Sequence, residues 1–261
     1  MKPCEAVTKD NMNVILNDMA KQFRKKAGRN ASAEIILIGG ASVLANYDFR
    51  ESTMDIDAFG RIPSMLKDIA RETGDKYNLE NGWFNSDFMK TESYSPQLVQ
   101  YSKYYRTFAN VMEVRTINSE HLIAMKLKSN RDYRSDQSDI AGILLSHESK
   151  NDPITFERID KAVSDLYGGW QNMPEHAKDN IQATLDRKNY ESEYQRIRSE
   201  EKENAKTLIT FEQDYPNVLS GDNIKDILSS LKKKSRGEIV EEKSRHITAN
   251  SDPSETYVPK P

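Results

Sequence analysis

The sequence contains little of what disulfides, metal clusters and membrane spans are built from. Its single cysteine, Cys4, excludes an intramolecular disulfide and a cysteine-cluster metal site. The four histidines show no spacing typical of metal ligands. No window approaches about eighteen consecutive apolar residues, and the opening segment "MKPCEAVTKD" has no apolar core typical of a signal peptide. We therefore expect a soluble cytoplasmic protein that does not contact the membrane.

An excess of charge of one sign is also absent. The 261 residues include 38 Lys and Arg against 41 Asp and Glu, which gives a formal net charge of -3. This balance of charges does not indicate a protein that binds nucleic acid through an overall positive charge. A local basic face is compatible with it. Hydrophobic residues make up only 36% of the chain, so the core must be concentrated in part of it.

What the chain does have is a series of apolar strands and helical segments over about its first 170 residues. The apolar runs "EIILIGG", "MDIDAFG" and "FANVMEVRTI" predict strands. Helical spacing of apolar residues predicts helices in "NMNVILNDMAKQFRKKAG", "HLIAMKLKSN", "DQSDIAGILLSH" and "DPITFERIDKAVSDLYGG". The segment from Lys76 to Arg106 gives no clear pattern. The fold class predicted is α/β, with a short mixed sheet flanked by helices and a helical C-terminal domain.

The composition predicts four regions along the chain. Residues 1–30 form a helix that packs on the core, and residues 31–150 form the core itself. Residues 151–231 form a helical C-terminal domain, in which residues 186–206 carry six basic and six acidic side chains beside a narrow apolar seam, a pattern typical of a helix that packs on another helix. Residues 232–261 are mostly polar, and we expect a flexible tail there.

Asp55 and Asp57 are the first candidates for a functional site. Residues two apart on a strand point to the same face, so these carboxylates project together while Ile56 points into the core. Two carboxylates on one face repel each other unless water or a cation surrounds them. Magnesium is commonly held by one or two carboxylates and the phosphates of a substrate. A surface strand with two solvated aspartates is the alternative.

A glycine pair precedes the two aspartates. Gly39 and Gly40 end the first apolar strand and open a short helical segment, where backbone amides can approach a phosphate closely. Ser42 adds a hydroxyl in the first turn. A glycine turn between strand and helix also has an ordinary structural explanation. The order of strand, glycine pair, helix and Asp-x-Asp strand is more specific than any of its parts.

A second cluster follows on two predicted helices. Lys126 lies amid apolar residues, so we expect its ammonium to reach a fixed partner, either a triphosphate or Asp139. Asp136 and Asp139 are three residues apart and share one face of the next helix. Acids in a first turn also complement the helix dipole, which is the structural alternative.

These segments resemble the DNA polymerase beta-like nucleotidyltransferase superfamily, whose pattern is a glycine pair followed by Asp-x-Asp. The resemblance is nearest to the AbiEii-like toxins of type IV toxin–antitoxin systems and related bacterial nucleotidyltransferases. It covers about residues 33–147. The matching residues in the first module are Gly39, Gly40, Arg50, Thr53, Asp55, Ile56 and Asp57, and those in the second are Leu122, Ala124, Lys126, Leu127, Arg131, Asp136, Asp139 and Ile140.

The resemblance implies transfer of a nucleoside monophosphate from an NTP to an acceptor. Asp55 and Asp57 would hold Mg²⁺ or Mn²⁺, with Lys126, Asp136 and Asp139 as further catalytic residues. The residues implied in nucleotide binding are Gly39, Gly40, Ser42, Arg50 and Arg131, with Lys128 as a lesser candidate. Superfamily members usually carry a third carboxylate on a later strand, for which Glu113 and the Asp136/Asp139 pair are alternatives.

The partners implied are an NTP, an RNA acceptor such as a tRNA 3′ end or a protein hydroxyl, and a cognate antitoxin bound through the C-terminal helices. Two other classes of function stay open. The chain could be a catalytically inactive binding protein that keeps the nucleotidyltransferase fold. It could also modify a small molecule, as antibiotic-modifying nucleotidyltransferases do.

Overall fold

A computed structural model describes residues 5–129, 135–220 and 223–233 of the chain. The expected tail beyond Lys233 and the candidate Arg131 lie outside these ranges. The chain divides into two compact units, one up to Arg198 and one from Ser199 onward. Within the described ranges, none of the helices combines the length and apolar character that a membrane crossing requires.

Among the described residues, seven strands lie in the first unit, together with helices of which one, Tyr190–Asp214, extends past the last residue of the unit, Arg198. The strands are β1 (Val7–Thr8), β2 (Ala33–Leu37), β3 (Ser52–Thr53), β4 (Ile56–Arg61), β5 (Phe84–Asn85), β6 (Ser102–Phe108) and β7 (Met112–Ile117). The helices are α1 (Lys9–Ala27), α2 (Gly39–Asn46), α3 (Ser64–Lys76), α4 (Ser119–Ser129), α5 (Asp136–Ser149), α6 (Phe156–Tyr167), α7 (Ala177–Arg187) and α8 (Tyr190–Asp214). Residues 224–233 of the second unit are also helical.

A five-stranded mixed sheet forms the centre of the first unit, in the order β5-β4-β2-β7-β6. The central strand β2 runs antiparallel to β4 and parallel to β7, and its Leu37 pairs with Ala58 on one side and Thr116 on the other. Strands β1 and β3 form a separate two-stranded sheet. The predicted α/β class, a short mixed sheet flanked by helices, is confirmed.

Strand β2 is buried on both faces, which explains its uninterrupted apolar run. Ile35 and Leu37 pack into a core cluster that includes residues of α1 and α3. Ile36 and Ile38 point the other way, into a second cluster built with α4, α5 and α6. Successive residues of a strand face opposite sides, so a strand between two helical layers needs apolar side chains at every position.

Helices α6 and α7, which we expected in a separate C-terminal domain, lie in the first unit, where α6 packs against α4. Both ends of helix α6 are capped. The Thr155 hydroxyl accepts a hydrogen bond from Arg158 N at 3.4 Å, and Gly168 adopts a left-handed conformation after the last turn. The segment without a clear pattern, residues 76–106, holds β5, most of β6 and two short 3-10 helices, Asp87–Lys90 and Pro96–Val99.

Phe49 packs against the backbone of α5 at Gly142. A Cβ atom at Gly142 would lie 2.6 Å from the Phe49 ring, so only glycine fits there without displacing the ring. The same ring is 5.4 Å from Tyr47 and 5.6 Å from Tyr194, measured between centroids. Because Phe49 directly precedes Arg50, this contact also fixes the position of the Arg50 backbone.

We predict that Gly142→Ala lowers the free energy of unfolding by about 1–3 kcal/mol, because the added methyl group overpacks the Phe49 ring. Adding Phe49→Leu to Gly142→Ala should recover part of the loss. Glu148→Ala, at an exposed position of the same helix, is the control. Urea unfolding measures all of these variants, and unchanged stability of Gly142→Ala would show that the ring moves aside freely.

Candidate active site

The glycine pair forms the turn from β2 into α2. Gly39 is the first residue of the helix and has a φ of +54°, in the left-handed region that favours glycine. A Cβ at Gly39 would lie 3.6 Å from the Asp57 carboxylate, and a Cβ at Gly40 would lie 2.7 Å from both Arg50 Nη2 and Thr53 Oγ1. The first turn of α2, whose N–H groups have no acceptor within the helix, therefore lies next to an acidic and a basic side chain.

Asp55 and Asp57 lie at the beginning of β4. Asp55 directly precedes the strand, Asp57 is its second residue, and Ile56 between them is buried in the core. The backbone oxygen of Asp57 accepts a hydrogen bond from Ile38 N at 3.0 Å, which holds the start of β4 beside the glycine turn. Both aspartates line one cavity of about 560 Å³. That volume lies within the range of small-molecule sites, roughly 300–1,000 Å³.

Lys126 is buried in the wall of this cavity and is paired with two carboxylates. Its ammonium is 3.1 Å from Asp136 Oδ1 and 2.6 Å from Asp139 Oδ2, and only 7% of its side chain is exposed. The guanidinium of Arg50 binds the same Asp139 oxygen and donates through Nε to Ser52 O at 3.1 Å. The network joins α4, α5 and the segment after α2. The sequence left two partners open for Lys126, a triphosphate and Asp139. In the structure, Asp139 is bonded to Lys126.

The formal charges of the four network residues cancel. The cavity as a whole is lined by three basic and five acidic side chains, a formal charge of −2 among its described lining residues. They are Arg50, Lys126 and Lys128, and Asp55, Asp57, Asp87, Glu92 and Asp136. The described lining residues therefore repel a polyphosphate unless further positive charge is present.

The carboxylates can supply a site for that charge. No cluster of three or more His, Cys, Asp or Glu side chains with metal-binding geometry occurs in the part of the chain that the structure describes. Asp55 and Asp57 therefore form a two-carboxylate set. Such a set fits Mg²⁺, which retains several waters and takes its other oxygen ligands from substrate phosphates.

Two candidates of the sequence lie away from the cavity. Ser42 is fully buried, and its hydroxyl accepts a hydrogen bond from Ile117 N at 3.1 Å, so it ties α2 to β7. Glu113 pairs in register with Glu34, whereas Asp57 lies level with Ile38, roughly 13 Å further along β2. The Glu113 carboxylate is 3.0 Å from Arg115. Asp136, by contrast, lines the cavity.

The residues after β5 form the wall that the sequence did not reveal. Asn85 is the register partner of Asp57, so the chain that follows it passes beside the aspartate pair. The cavity residues that it contributes are Asn85, Asp87, Phe88, Thr91, Glu92 and Ser93. Lys128 lines the same cavity and donates to Asn172 O at 2.6 Å. The only sequence signal for this wall was an aromatic and polar segment without periodicity.

Two residues in the first three turns of α8 donate hydrogen bonds to segments next to the site. The Tyr194 hydroxyl donates to Phe49 O at 2.9 Å, one residue before Arg50. Arg198 Nη1 donates to Ser135 Oγ at 3.1 Å, one residue before Asp136. Tyr194 and Arg198 are four residues apart and therefore lie on one face of the helix. The same helix face thus fixes the segments that precede both ends of the ion network.

We predict that Lys126→Met lowers the free energy of unfolding by roughly 3–5 kcal/mol, because it leaves Asp136 and Asp139 buried without the ammonium. Lys21→Met, at an exposed position of α1, is the control and should change little. Adding Asp136→Asn to Lys126→Met should restore part of the loss. Chemical denaturation measures all three, and wild-type stability of Lys126→Met would contradict a structural role for the pair.

One of three comparisons with known proteins finds a match. Neither a curated protein nor a solved structure matches the chain. A family model described as a nucleotidyltransferase of unknown function (DUF6036) matches residues 15–198, which is more than half of the chain. The match ends at Arg198, the last residue of the first compact unit, and it contains the glycine pair, both aspartates and the ion network. The chain belongs to this family of nucleotidyltransferases of unknown function.

Proposed function

We propose that the protein is a magnesium-dependent enzyme that moves a nucleoside monophosphate from an NTP to an acceptor hydroxyl. The observation that supports this most is the composition of a single cavity. It brings together the N-terminus of α2 at Gly39 and Gly40, the carboxylates of Asp55 and Asp57, and a charge-balanced network around Lys126.

Each part of the cavity has a task in this proposal. The amides of Gly39 and Gly40 bind phosphate oxygens at the positive end of the helix dipole. The guanidinium of Arg50, whose Nη2 lies against Gly40, donates to the same phosphates. Lys126 has three donor hydrogens, and two carboxylates among the described residues accept from it. Its remaining donor can reach a phosphate oxygen. Ser42 has no part in the proposal, because its hydroxyl is committed to Ile117.

In the reaction, the acceptor oxygen forms a bond to the α-phosphorus. The bond from that phosphorus to the oxygen bridging the β-phosphate breaks, pyrophosphate leaves, and the hydroxyl proton of the acceptor is released. Asp55 and Asp57 would hold Mg²⁺ or Mn²⁺, which supplies Lewis-acid stabilisation of the charge that develops on the phosphates. Asp136 and Asp139 keep Lys126 and Arg50 in place during this step.

The acceptor and the biological setting follow from the family resemblance alone. We propose an RNA 3′ end, such as that of a tRNA, or a protein hydroxyl as the acceptor, in a toxin–antitoxin or phage-defence setting in the cytoplasm. A cognate partner would bind the C-terminal helices. Lys128 and Arg131 are candidates for contacts to the acceptor or to phosphate.

We predict that the purified full chain, incubated with Mg²⁺, a labelled NTP and total cellular RNA or protein, transfers label and releases pyrophosphate. Asp57→Asn should abolish both, since it removes one of the two carboxylates proposed to hold the metal and keeps the side-chain volume. Asp68→Asn, at an exposed position on α3, is the matched control and should retain activity.

The competing functions give different results in the same assay. Turnover of the NTP with a small hydroxylated molecule, but with neither RNA nor protein, would identify a small-molecule nucleotidyltransferase. Tight metal-dependent binding of NTP without pyrophosphate release from any acceptor would identify an inactive binding protein. Full activity of Asp57→Asn would contradict the proposed metal site.

A further inference from the structure

Phe88 is the one aromatic side chain among the described residues that line the cavity. It lies in the 3-10 helix Asp87–Lys90, on the wall that follows β5, and it is partly exposed. The ring packs partly against the core cluster built with α4, α5 and α6, and its remaining surface faces the cavity. The other cavity residues supply charges, hydroxyls and one thioether, that of Met125.

Neighbouring residues contact both the backbone and the ring of Phe88. Both the backbone N and the hydroxyl of Thr91 donate to Phe88 O, at 3.0 Å and 2.8 Å. The ring centroid is 6.1 Å from that of Tyr94, with the two planes at 83°, and Tyr94 in turn meets Phe59 edge to face. An edge-to-face contact engages at most one face of each ring, and the part of Phe88 that lines the cavity is where another flat group can stack.

A nucleoside triphosphate has one highly charged end and one flat aromatic end. Arg50, Lys126 and the first turn of α2 account for the charged end in the proposed function, on which this inference rests. We infer that Phe88 binds the other end, by stacking against the nucleobase. The cavity volume of about 560 Å³ gives room for base, ribose and phosphates together.

The neighbouring polar groups indicate how selective this contact is. Asn85 Oδ1 accepts from Asp87 N at 2.8 Å, and Asn85 Nδ2 donates to Gly82 O at 3.2 Å. Asp87 Oδ1 is 2.6 Å from Lys90 Nζ. The polar groups of Asn85 and Asp87 are thus engaged within this segment and are not arranged to form hydrogen bonds with the edge of a base. Stacking is tolerant of base identity, so all four NTPs should bind, with purines favoured by their larger rings.

Binding of ATP, CTP and inorganic tripolyphosphate to the full chain, each with Mg²⁺, tests the inference by calorimetry. Phe88→Ala should weaken ATP binding by roughly 5- to 150-fold, the loss of one stacked base. CTP should lose less, and tripolyphosphate should bind as it does to the wild type. Phe88→Leu, which keeps an apolar group, should resemble Phe88→Ala, whereas Phe88→Trp should retain ATP affinity. Met89→Ala, on the same 3-10 helix and 44% exposed, is the control and should change nothing.

The outcomes separate the stacking contact from the proposed function. If the wild type binds tripolyphosphate and ATP equally well, the base makes no contact and the inference is overturned while the phosphate site stands. Equal losses for ATP and tripolyphosphate in Phe88→Ala would show that the ring only supports the cavity wall, which also overturns the inference. A wild type that binds neither ligand overturns the proposed function and the inference together.

Discussion

Lys126 is buried between α4 and α5, where Asp136 and Asp139 both accept hydrogen bonds from its ammonium. Arg50 reaches the second of these carboxylates from the segment after α2, so one ion network joins three separate parts of the chain. Removing charged groups from water is unfavourable in free energy. The interactions among them offset this penalty only when each charge has partners in good geometry. The positions of the cavity wall, the glycine turn and the start of α5 all depend on this network.

The network also determines what the cavity can bind. Its two cations and two carboxylates carry no net formal charge between them. The lining residues as a set stay at a formal −2, which disfavours a bare polyphosphate. In the proposed function, a divalent cation held by the two aspartates would reverse this balance locally and favour phosphate binding. The proposed metal dependence is therefore consistent with the charge of the described lining residues as well as with the Asp-x-Asp pattern.

The parts of the site that the sequence predicts are those with a local signature. The apolar run from Ile35 to Ile38 predicted the buried strand, and the glycines after it predicted the turn. Both predictions depend on residue type alone: consecutive apolar residues indicate burial, and glycine favours a left-handed backbone. The spacing of Asp136 and Asp139 gave a shared helix face. The sequence also narrowed the partner of Lys126 to two alternatives but could not decide between them, since that choice depends on how α4 and α5 pack.

The parts that the sequence missed depend on register and tertiary contacts. Ser42 stands in the first turn of α2, yet its side chain faces β7 and not the cavity. Glu113 has the right residue type on a strand, but its register places it level with Glu34. Phe88 lies in a segment without periodicity, because a 3-10 helix and short strand pairs leave no repeating apolar pattern. Only the pairing of Asn85 with Asp57 brings that segment to the site.

The affinity of inorganic tripolyphosphate with and without Mg²⁺, compared between the wild type and Asp55→Asn/Asp57→Asn, tests the charge balance of the cavity most directly. The wild type should bind tripolyphosphate weakly in EDTA and much more tightly with Mg²⁺. The double variant, with its two negative charges removed, should bind more tightly than the wild type in EDTA and gain little from Mg²⁺. Equal binding by both proteins in EDTA, or an undiminished Mg²⁺ effect in the double variant, would contradict a metal site at Asp55 and Asp57.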